Sequence, residues 1–443
     1  MPVVEFVGQS ARDPDNIAAN PSRLVNLYRE PTVPGGRTGY ALKPVMGSQA
    51  FATVEGVFFR SIAAVDTRLF AAIGGALYEF DQFGFATDRG TVLDGDTTIA
   101  GNNGKVAIAA GGAYYVLDGG TLSSPTPGAF SDFGALDYIG NYTVITERNG
   151  RRFQWSALAD AADLPGLSFS TADGRDDNLI RPVAINGALW LFKDRSHEVW
   201  YVTGGAGAEA FERAAGGVYD VGLRGHDLIT RFDGGALFVG DDGRVYMCGG
   251  QSLQPVSIPP VETAIRLGLP RSCLTYEDEG HTFCCVVFRD RPAWCYDIAT
   301  GEWHERSETG GPWKANVSTF WRNQWRVGAD GGTLRTLAHV ATDAGLPLVK
   351  QATSRPVYVD GDRFVMRDLE LFVRRGFSDG LIEIETSRDG GLTFGPPKPR
   401  EFGPVGDYGG RVIWRNLGQF RQAVVRITVT GDITVNADGR VRL

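Results

Sequence analysis

A short hairpin recurs along the first three quarters of the chain, and it restricts the fold more than any other feature. Residues 68–81 read RLFAAIGGALYEFD and residues 105–118 read KVAIAAGGAYYVLD, with Gly-Gly at the centre and Tyr-x-x-Asp at the end of both. Looser copies follow at 142–155, 188–202, 235–249, 281–297 and 324–337. The first apolar strand residues of these units are Leu69, Val106, Thr143, Leu189, Leu237, Phe283 and Trp325, so the unit repeats at steps of 37, 37, 46, 48, 46 and 42 residues. A four-stranded propeller blade takes roughly 40–50 residues. A lone hairpin cannot bury its apolar face, whereas blades stacked around an axis can. Gly-Gly, Asn149-Gly150 and Asp242-Gly243 at the hairpin centres supply the positive φ that two-residue turns need. The expected fold is all-β: a β-propeller of about seven blades, or six if one hairpin belongs to a neighbouring domain. One helix is expected, over residues 260–267, with proline before it and Gly268 as its stop.

Composition agrees with many tight turns. Of 443 residues 59 are glycine, close to twice the usual ~7%, and they lie singly or in pairs between apolar runs. A hydrophobic share of 43% and a charged share of 22% exclude a mostly disordered chain. A length of 443 exceeds what one core of ~250–300 residues supports, so a closed repeat with an appendage, or several domains, is expected. The 44 basic and 52 acidic residues leave a net charge of −8, which argues against a protein dedicated to gripping duplex DNA with a basic stripe. No run of ~18 uncharged apolar residues predicts a membrane span. The opening Met1-Pro2-Val3-Val4-Glu5 lacks the pattern of a secretory signal. Cys248, Cys273, Cys284, Cys285 and Cys295 are therefore expected as reduced, buried thiols.

Two regions fall outside the repeat. Residues 1–48, rich in Pro, Asn and Arg and without a clear hairpin, read as an extended arm. Residues 49–343 hold the propeller. Residues 344–443 carry alternating strands at 369–373, 382–386, 412–414 and 423–429 without blade spacing, which suits an antiparallel sandwich-like domain. The arm has too few alternating apolar residues to fold alone, and its prolines keep it extended. It must therefore lie on another surface to offset its ordering entropy, along the propeller or the sandwich, its own or a neighbour's.

Signs of catalysis are sparse. The histidines are His197, His226, His281, His304 and His339, with no His-x-x-x-His pair, no Gly-x-Ser-x-Gly elbow and no phosphate-binding loop. His281, Cys284, Cys285, Cys295 and His304 form the sharpest metal candidate. Adjacent strand residues point to opposite faces, however, and the Cys-x(2–4)-Cys spacing typical of zinc is missing. No metal or cofactor is expected. Ser387, Asp389, Gly391, Thr393 and Phe394 spell an Asp box, Ser-x-Asp-x-Gly-x-Thr-aromatic, in which the carboxylate accepts backbone N–H bonds of a hairpin turn. Sialidases carry several such boxes, but the box is a structural device rather than a catalytic one. Trp294, Trp303, Trp313, Trp321 and Trp325 lie close together. They are read as packing between blades, with stacking on sugars or bases as the alternative.

Residues 25–30 (VNLYRE), then 40–44 (YALKP) and Gly47, resemble the start of the packaged-DNA stabilisation proteins, the tail hubs or nozzles of short-tailed phages. The likeness continues through 199–204 (VWYVTG), 237–243 (LFVGDDG), 276–281 (YEDEGH), 294–297 (WCYD), 300–306 (TGEWHER), 387–394 (SRDGGLTF) and 411–418 (RVIWRNLG). It is the order of these strings over nearly the whole chain that carries the resemblance. Residues 84–103 depart from it and show only generic hairpins.

The resemblance implies a non-enzymatic structural protein of the virion tail, assembled in the host bacterial cytoplasm. It implies a homo-hexameric ring below the portal-adaptor that closes the DNA-filled capsid and forms part of the ejection channel. Tail spikes or fibres and a needle or plug would dock on that ring, and genomic DNA would pass through it without sequence-specific contact. Asn26, Tyr28 and Glu30 are the arm residues expected to matter for assembly. The alternative from another class is a propeller glycosidase or lectin acting on cell-surface polysaccharide, which acidic pairs together with an arginine cluster in the central channel would favour.

Overall fold

A computed structural model describes residues 3–6, 10–12, 20–31, 39–55, 58–205, 207–250, 252–359, 362–374, 380–431 and 435–442. Among these, five consecutive four-stranded antiparallel sheets cover 59–91, 97–123, 133–171, 179–219 and 229–255, four antiparallel strands over 270–306 form a sixth blade that continues into a ten-stranded sheet, and a seventh blade takes three strands from 315–338. The hairpin read from the repeat is the second and third strand of each blade, as in Lys105–Ala110 with Ala113–Asp118. The helix spans Pro259–Leu267 and stops at Gly268.

Blades bury one another's faces. Ala107 and Ala109 of blade 2 pack with Phe133 and Ile145 of blade 3, while Val106, Ile108 and Ala110, of opposite parity, pack with Phe70 and Leu77 of blade 1. A strand buried on both faces cannot show polar alternation, which is why the second strands read as unbroken apolar runs. The tryptophans belong to this packing. Trp294 and Trp303 lie in the core shared by blades 4 to 6, Trp313 in the core between blades 6 and 7, and Trp321 in the core between blades 7 and 1.

The ring closes through a strand from the start of the chain. We number the N-terminal strands β1 (Val3–Glu5), β2 (Arg23–Val25), β3 (Leu27–Pro31), β4 (Tyr40–Pro44) and β5 (Gly47–Thr53). β5 is the outer strand of blade 7 and pairs with Thr333–Ala338, from Thr53 opposite Thr333 to Gly47 opposite Ala338. Buried polar groups pin this closure. Ser48 Oγ donates to Asp343, Ala344 N–H donates to the Ser48 carbonyl at 3.0 Å, and Arg335 bridges Glu308 at 3.0 Å and Asp343 at 3.5 Å. Arg306 donates to the Met46 carbonyl at 2.7 Å and lies 4.0 Å over the Trp313 ring.

The C-terminal part is a sandwich that recruits the arm. One sheet orders β3, β4, Val435–Arg442, Phe364–Val373 and Val412–Phe420, with β1 also paired to Val435–Arg442. The other orders β2, Lys350–Thr353, Gln422–Thr430, Leu381–Ser387 and Lys398–Glu401. The N-terminal region was expected to be extended and without a hairpin. Instead β3 and β4 form one, from Leu27 opposite Pro44 to Pro31 opposite Tyr40. The pairing partner of β4 lies at the far end of the sequence, so no local signal announces it. Val4, Phe6, Leu24, Leu27 and Leu42 enter the sandwich core.

The cysteines differ from expectation in one pair. Cys285 and Cys295 stand directly opposite on neighbouring strands of blade 6 and form a disulfide. Cys248, Cys273 and Cys284 are free and buried, and burial pushes the Cys284 thiol up to about 12.

Two hairpin glycines separate backbone conformation from close approach. Gly74 has φ +52 and open space where a Cβ would sit; Gly111 has φ +57 and a Cβ there would lie 2.1 Å from the Asp94 carbonyl oxygen. Gly74→Ala is expected to cost about 1–2 kcal/mol, the left-handed penalty alone. Gly111→Ala should cost clearly more, because backbone must also shift. Equal losses in denaturant midpoint would refute the turn geometry.

Candidate functional site

Polar contacts link distant parts of the chain at the seam where the arm meets blade 6 and the sandwich. β2 is hydrogen-bonded on both sides. Arg23, Leu24 and Val25 pair antiparallel with Thr353, Ala352 and Gln351, and Val25 pairs parallel with Glu305 of the outer blade-6 strand, Glu302–Arg306. Glu305 is buried. Its Oε1 accepts from Ser10 Oγ and Arg23 Nε, each at 2.8 Å, and its Oε2 accepts from Arg23 Nη2 at 2.6 Å. A carboxylate held by a bidentate guanidinium and a hydroxyl has its lone pairs well used, so burying it is tolerated.

Asn26 turns the chain at the end of β2. Its φ is +56, a conformation that asparagine adopts more readily than most residues. Its buried side chain accepts from Ser307 N–H at 2.9 Å and donates to the carbonyls of Ser307 at 2.9 Å and Val349 at 2.7 Å. Its own N–H donates to the Glu305 carbonyl at 2.8 Å. One amide thus joins the arm, the exit of blade 6 and the segment leading into the sandwich.

Tyr28 and Glu30 follow on one face of β3. Tyr28 is buried, with its ring edge-on to His281 at 4.9 Å and Phe283 at 5.0 Å. Burial, together with Asp278, Glu279 and Glu30, pushes its phenol well up. His281 is held between two carboxylates: Nδ1 lies 2.8 Å from Asp297 and Nε2 lies 3.0 Å from Glu30. Bonding to Asp297 raises the imidazole above its ordinary range, against burial and with help from Glu30. Thr300 Oγ1 also donates to Asp297 at 2.7 Å, and Lys43 of β4 bridges Glu30 and Glu279 at 3.1 and 2.7 Å.

The Asp box folds as a tight turn between Leu381–Ser387 and Lys398–Glu401. Asp389 accepts from the N–H groups of Leu392 at 3.0 Å and Thr393 at 2.9 Å, and from the hydroxyls of Ser387 at 2.6 Å and Thr393 at 2.5 Å. These bonds hold its carboxyl well below the usual range. Arg426 lies 3.9 Å over the Phe394 ring. Gly391 has φ +94, and a Cβ there would lie 2.8 Å from the Pro21 side chain, so the turn also seats the arm just before β2.

The cluster His281, Cys284, Cys285, Cys295 and His304 does not come together as a metal set. Cys284 faces the core toward blade 5 and Cys285 the core toward blade 7, Cys285 is bonded to Cys295, and His281 is committed to carboxylates. Burial lowers His304 to about 4. In the channel, a cavity of about 470 Å³, Asp137 accepts from Ala184 N–H at 2.8 Å and from Arg231 at 3.0 Å. The sequence reading passed over Ser10, Arg23, Lys43, Asp297 and Glu305. Complementary charge is the only sign of the Arg23–Glu305 pair, and residues so far apart give no spacing to read.

Asn26→Ala should cost about 2–3 kcal/mol, because buried partners are left unmade and a Cβ residue stays at positive φ. Asn26→Gly, which relieves the backbone, should cost less; the reverse order in denaturant titration would refute the clamp. The raised imidazole sets the sign of a pH effect. The stability contributed by His281 is full below its ordinary value of 6.5 and is lost as pH rises through the higher folded value. Between neutral and alkaline pH the full chain should therefore lose stability more steeply than His281→Gln. Parallel profiles would count against the latch.

Comparison with known proteins places this geometry. Residues 4–338 match the family described as bacteriophage P22 Gp10, beta-propeller, and residues 351–442 match bacteriophage P22 Gp10, beta-sandwich. No curated protein sequence matches the chain. Among solved structures, the computationally designed Ika8 protein is 15% identical, with 65% of this chain and 99% of that one covered at a TM-score of 0.41. BamB from Moraxella catarrhalis is 12% identical, with 71% and 97% covered at 0.43. PorZ, a surface component of the type-IX secretion system of Porphyromonas gingivalis, is 12% identical, with 72% and 44% covered at 0.43. Nothing about this chain is drawn from those three. The family matches span the propeller and the sandwich in order, and the chain belongs to the bacteriophage P22 Gp10 family of packaged-DNA stabilisation proteins, structural components of the phage tail.

Proposed function

We propose that this protein is the hub, or nozzle, of a short phage tail: a homo-hexameric ring that closes the DNA-filled capsid beneath the portal-adaptor. The ring forms part of the ejection channel and offers surface to tail spikes or fibres and to a needle or plug. It assembles in the host cytoplasm and acts without catalysis. The observation that carries the reading is the ordered family match over both halves of the chain.

Two physical features support it. The arm ties blade 6 and the sandwich through polar contacts of Glu305, Asn26 and Glu30, which couple the two parts more firmly than a loose linker would. A net charge of −8 suits passage of a polyanion, which dense arginine patches would trap. The described residues contain no helix long and apolar enough to cross a membrane. In the Asp box the carboxylate serves the turn and the seat for Pro21, a structural role. Asp137 is likewise held by Arg231 and by backbone amides rather than left for acid–base work.

The test joins mass to DNA retention. Native mass measurement of the chain on adaptor-bearing particles is expected to give six copies, and filled heads completed with it should keep their DNA while uncompleted heads leak. A chain lacking residues 1–36 should fail to complete heads, and the milder Arg23→Ala should complete them less efficiently. Monomers only, or heads that retain DNA equally well without the protein, would overturn the proposal.

A further inference from the structure

One group of side chains at the channel is used by nothing described so far. Asp96 immediately precedes the inner strand of blade 2, Thr97–Asn102, and His226 and Asp227 lie just before that of blade 5, Ile229–Phe232. An oxygen of each carboxylate and a nitrogen of the imidazole lie within 4.8 Å of one another. The backbone under all three is tied down. Gly111 N–H donates to the Asp96 carbonyl at 3.2 Å, Arg181 Nη1 to the His226 carbonyl at 3.2 Å, and Cys273 N–H to the Asp227 carbonyl at 2.7 Å.

The state of the imidazole points to a ligand. His226 Nδ1 lies 2.7 Å from Asp227 Oδ1, and the side chain is only 8% exposed. In the neutral ring Nδ1–H donates a hydrogen bond to that carboxylate, and Nε2 carries the lone pair. Nε2 is buried and has no hydrogen-bond partner, which costs free energy in a folded protein. A carboxylate on one ring nitrogen and a metal on the other is the usual arrangement of a metal-bound histidine. His226 and Asp96 also line a cavity of about 220 Å³ together with Asn149, Asn178 and Asp194, which has room and polar partners for water. Arg181 stands 3.8 Å from Asp227 and also feels the charge of Asp96, so the guanidinium offsets only part of the negative charge of the two carboxylates.

We propose that Asp96, His226 and Asp227 form a site for a divalent transition-metal cation, bound by the imidazole and the Asp96 carboxylate, with Asp227 orienting the ring and water completing the shell. Imidazole with carboxylate and water suits zinc or nickel better than magnesium or calcium. Such an ion joins blades 2 and 5 across the channel and braces the propeller. Sequence spacing could not announce it, because its residues come from separate blades.

The experiment titrates Zn²⁺ and, separately, Ni²⁺ into the chelator-treated full chain, with Mg²⁺ as comparator, by calorimetry and thermal melting. The expected result is one saturable site per chain for Zn²⁺ or Ni²⁺, a raised melting temperature, and little response to Mg²⁺. His226→Gln and Asp96→Asn should each weaken binding about tenfold or more. Asp96 is exposed, so its variant keeps the test alive should His226→Gln misfold. Absence of saturable binding, or binding unchanged in Asp96→Asn, would overturn the site.

Discussion

Two sheet edges that would otherwise lie open are covered by β2, and the rest of the architecture depends on that coverage. The outer strand of blade 6, Glu302–Arg306, and the sandwich strand Lys350–Thr353 each present backbone groups that need partners. Three residues, Arg23 to Val25, lie between them and bond to both. The side chains follow from this placement. Arg23 reaches the buried Glu305, and Asn26 can turn only because its amide finds Ser307 and Val349. Without β2, Glu305 would be a buried carboxylate without its guanidinium, an expensive state.

Closure of the propeller follows the same principle with a different strand. β5 completes blade 7 from the N-terminal side, so the ring is sealed by pairing residues nearly three hundred positions apart, as with Gly47 and Ala338. Ordering so long a loop carries an entropic cost that grows slowly with length. The buried set of Ser48, Asp343, Arg335 and Glu308 adds bonds that only the closed ring can make. The other described N-terminal strands, β1 to β4, enter the sandwich. The two ends of the sequence are thus interleaved, and β4 pairs with Val435–Arg442.

Two features that resemble chemistry hold parts of the fold together. The Asp box carries a carboxylate held far down by hydroxyls and amides, but every bond goes to its own turn, and its Gly391 leaves space for Pro21 of the arm. His281 lies between the carboxylates of Asp297 and Glu30. Its effect is to join β3 to blade 6.

Local chemistry made much of this legible in the sequence alone. Hairpin recurrence, Gly-Gly turns and unbroken apolar second strands depend on neighbours a few residues apart, and each of the seven predicted hairpins is found as the middle of a blade. Adjacent Cys284 and Cys285 were bound to face opposite cores, because strand side chains alternate. The Asp box was readable for the same reason: its donors and acceptor span seven residues, 387–393. Tertiary structure alone decided where the arm goes, that β3 and β4 form a hairpin, that Glu305 receives Arg23, that Cys285 meets Cys295 across a hairpin, and that Asp96 comes near His226. In most of these the partners lie far apart in the chain, and pairing between edges depends on which backbone groups remain unsatisfied after the local elements form. That quantity belongs to the assembled sheets and to no single segment, so a one-dimensional pattern cannot carry it.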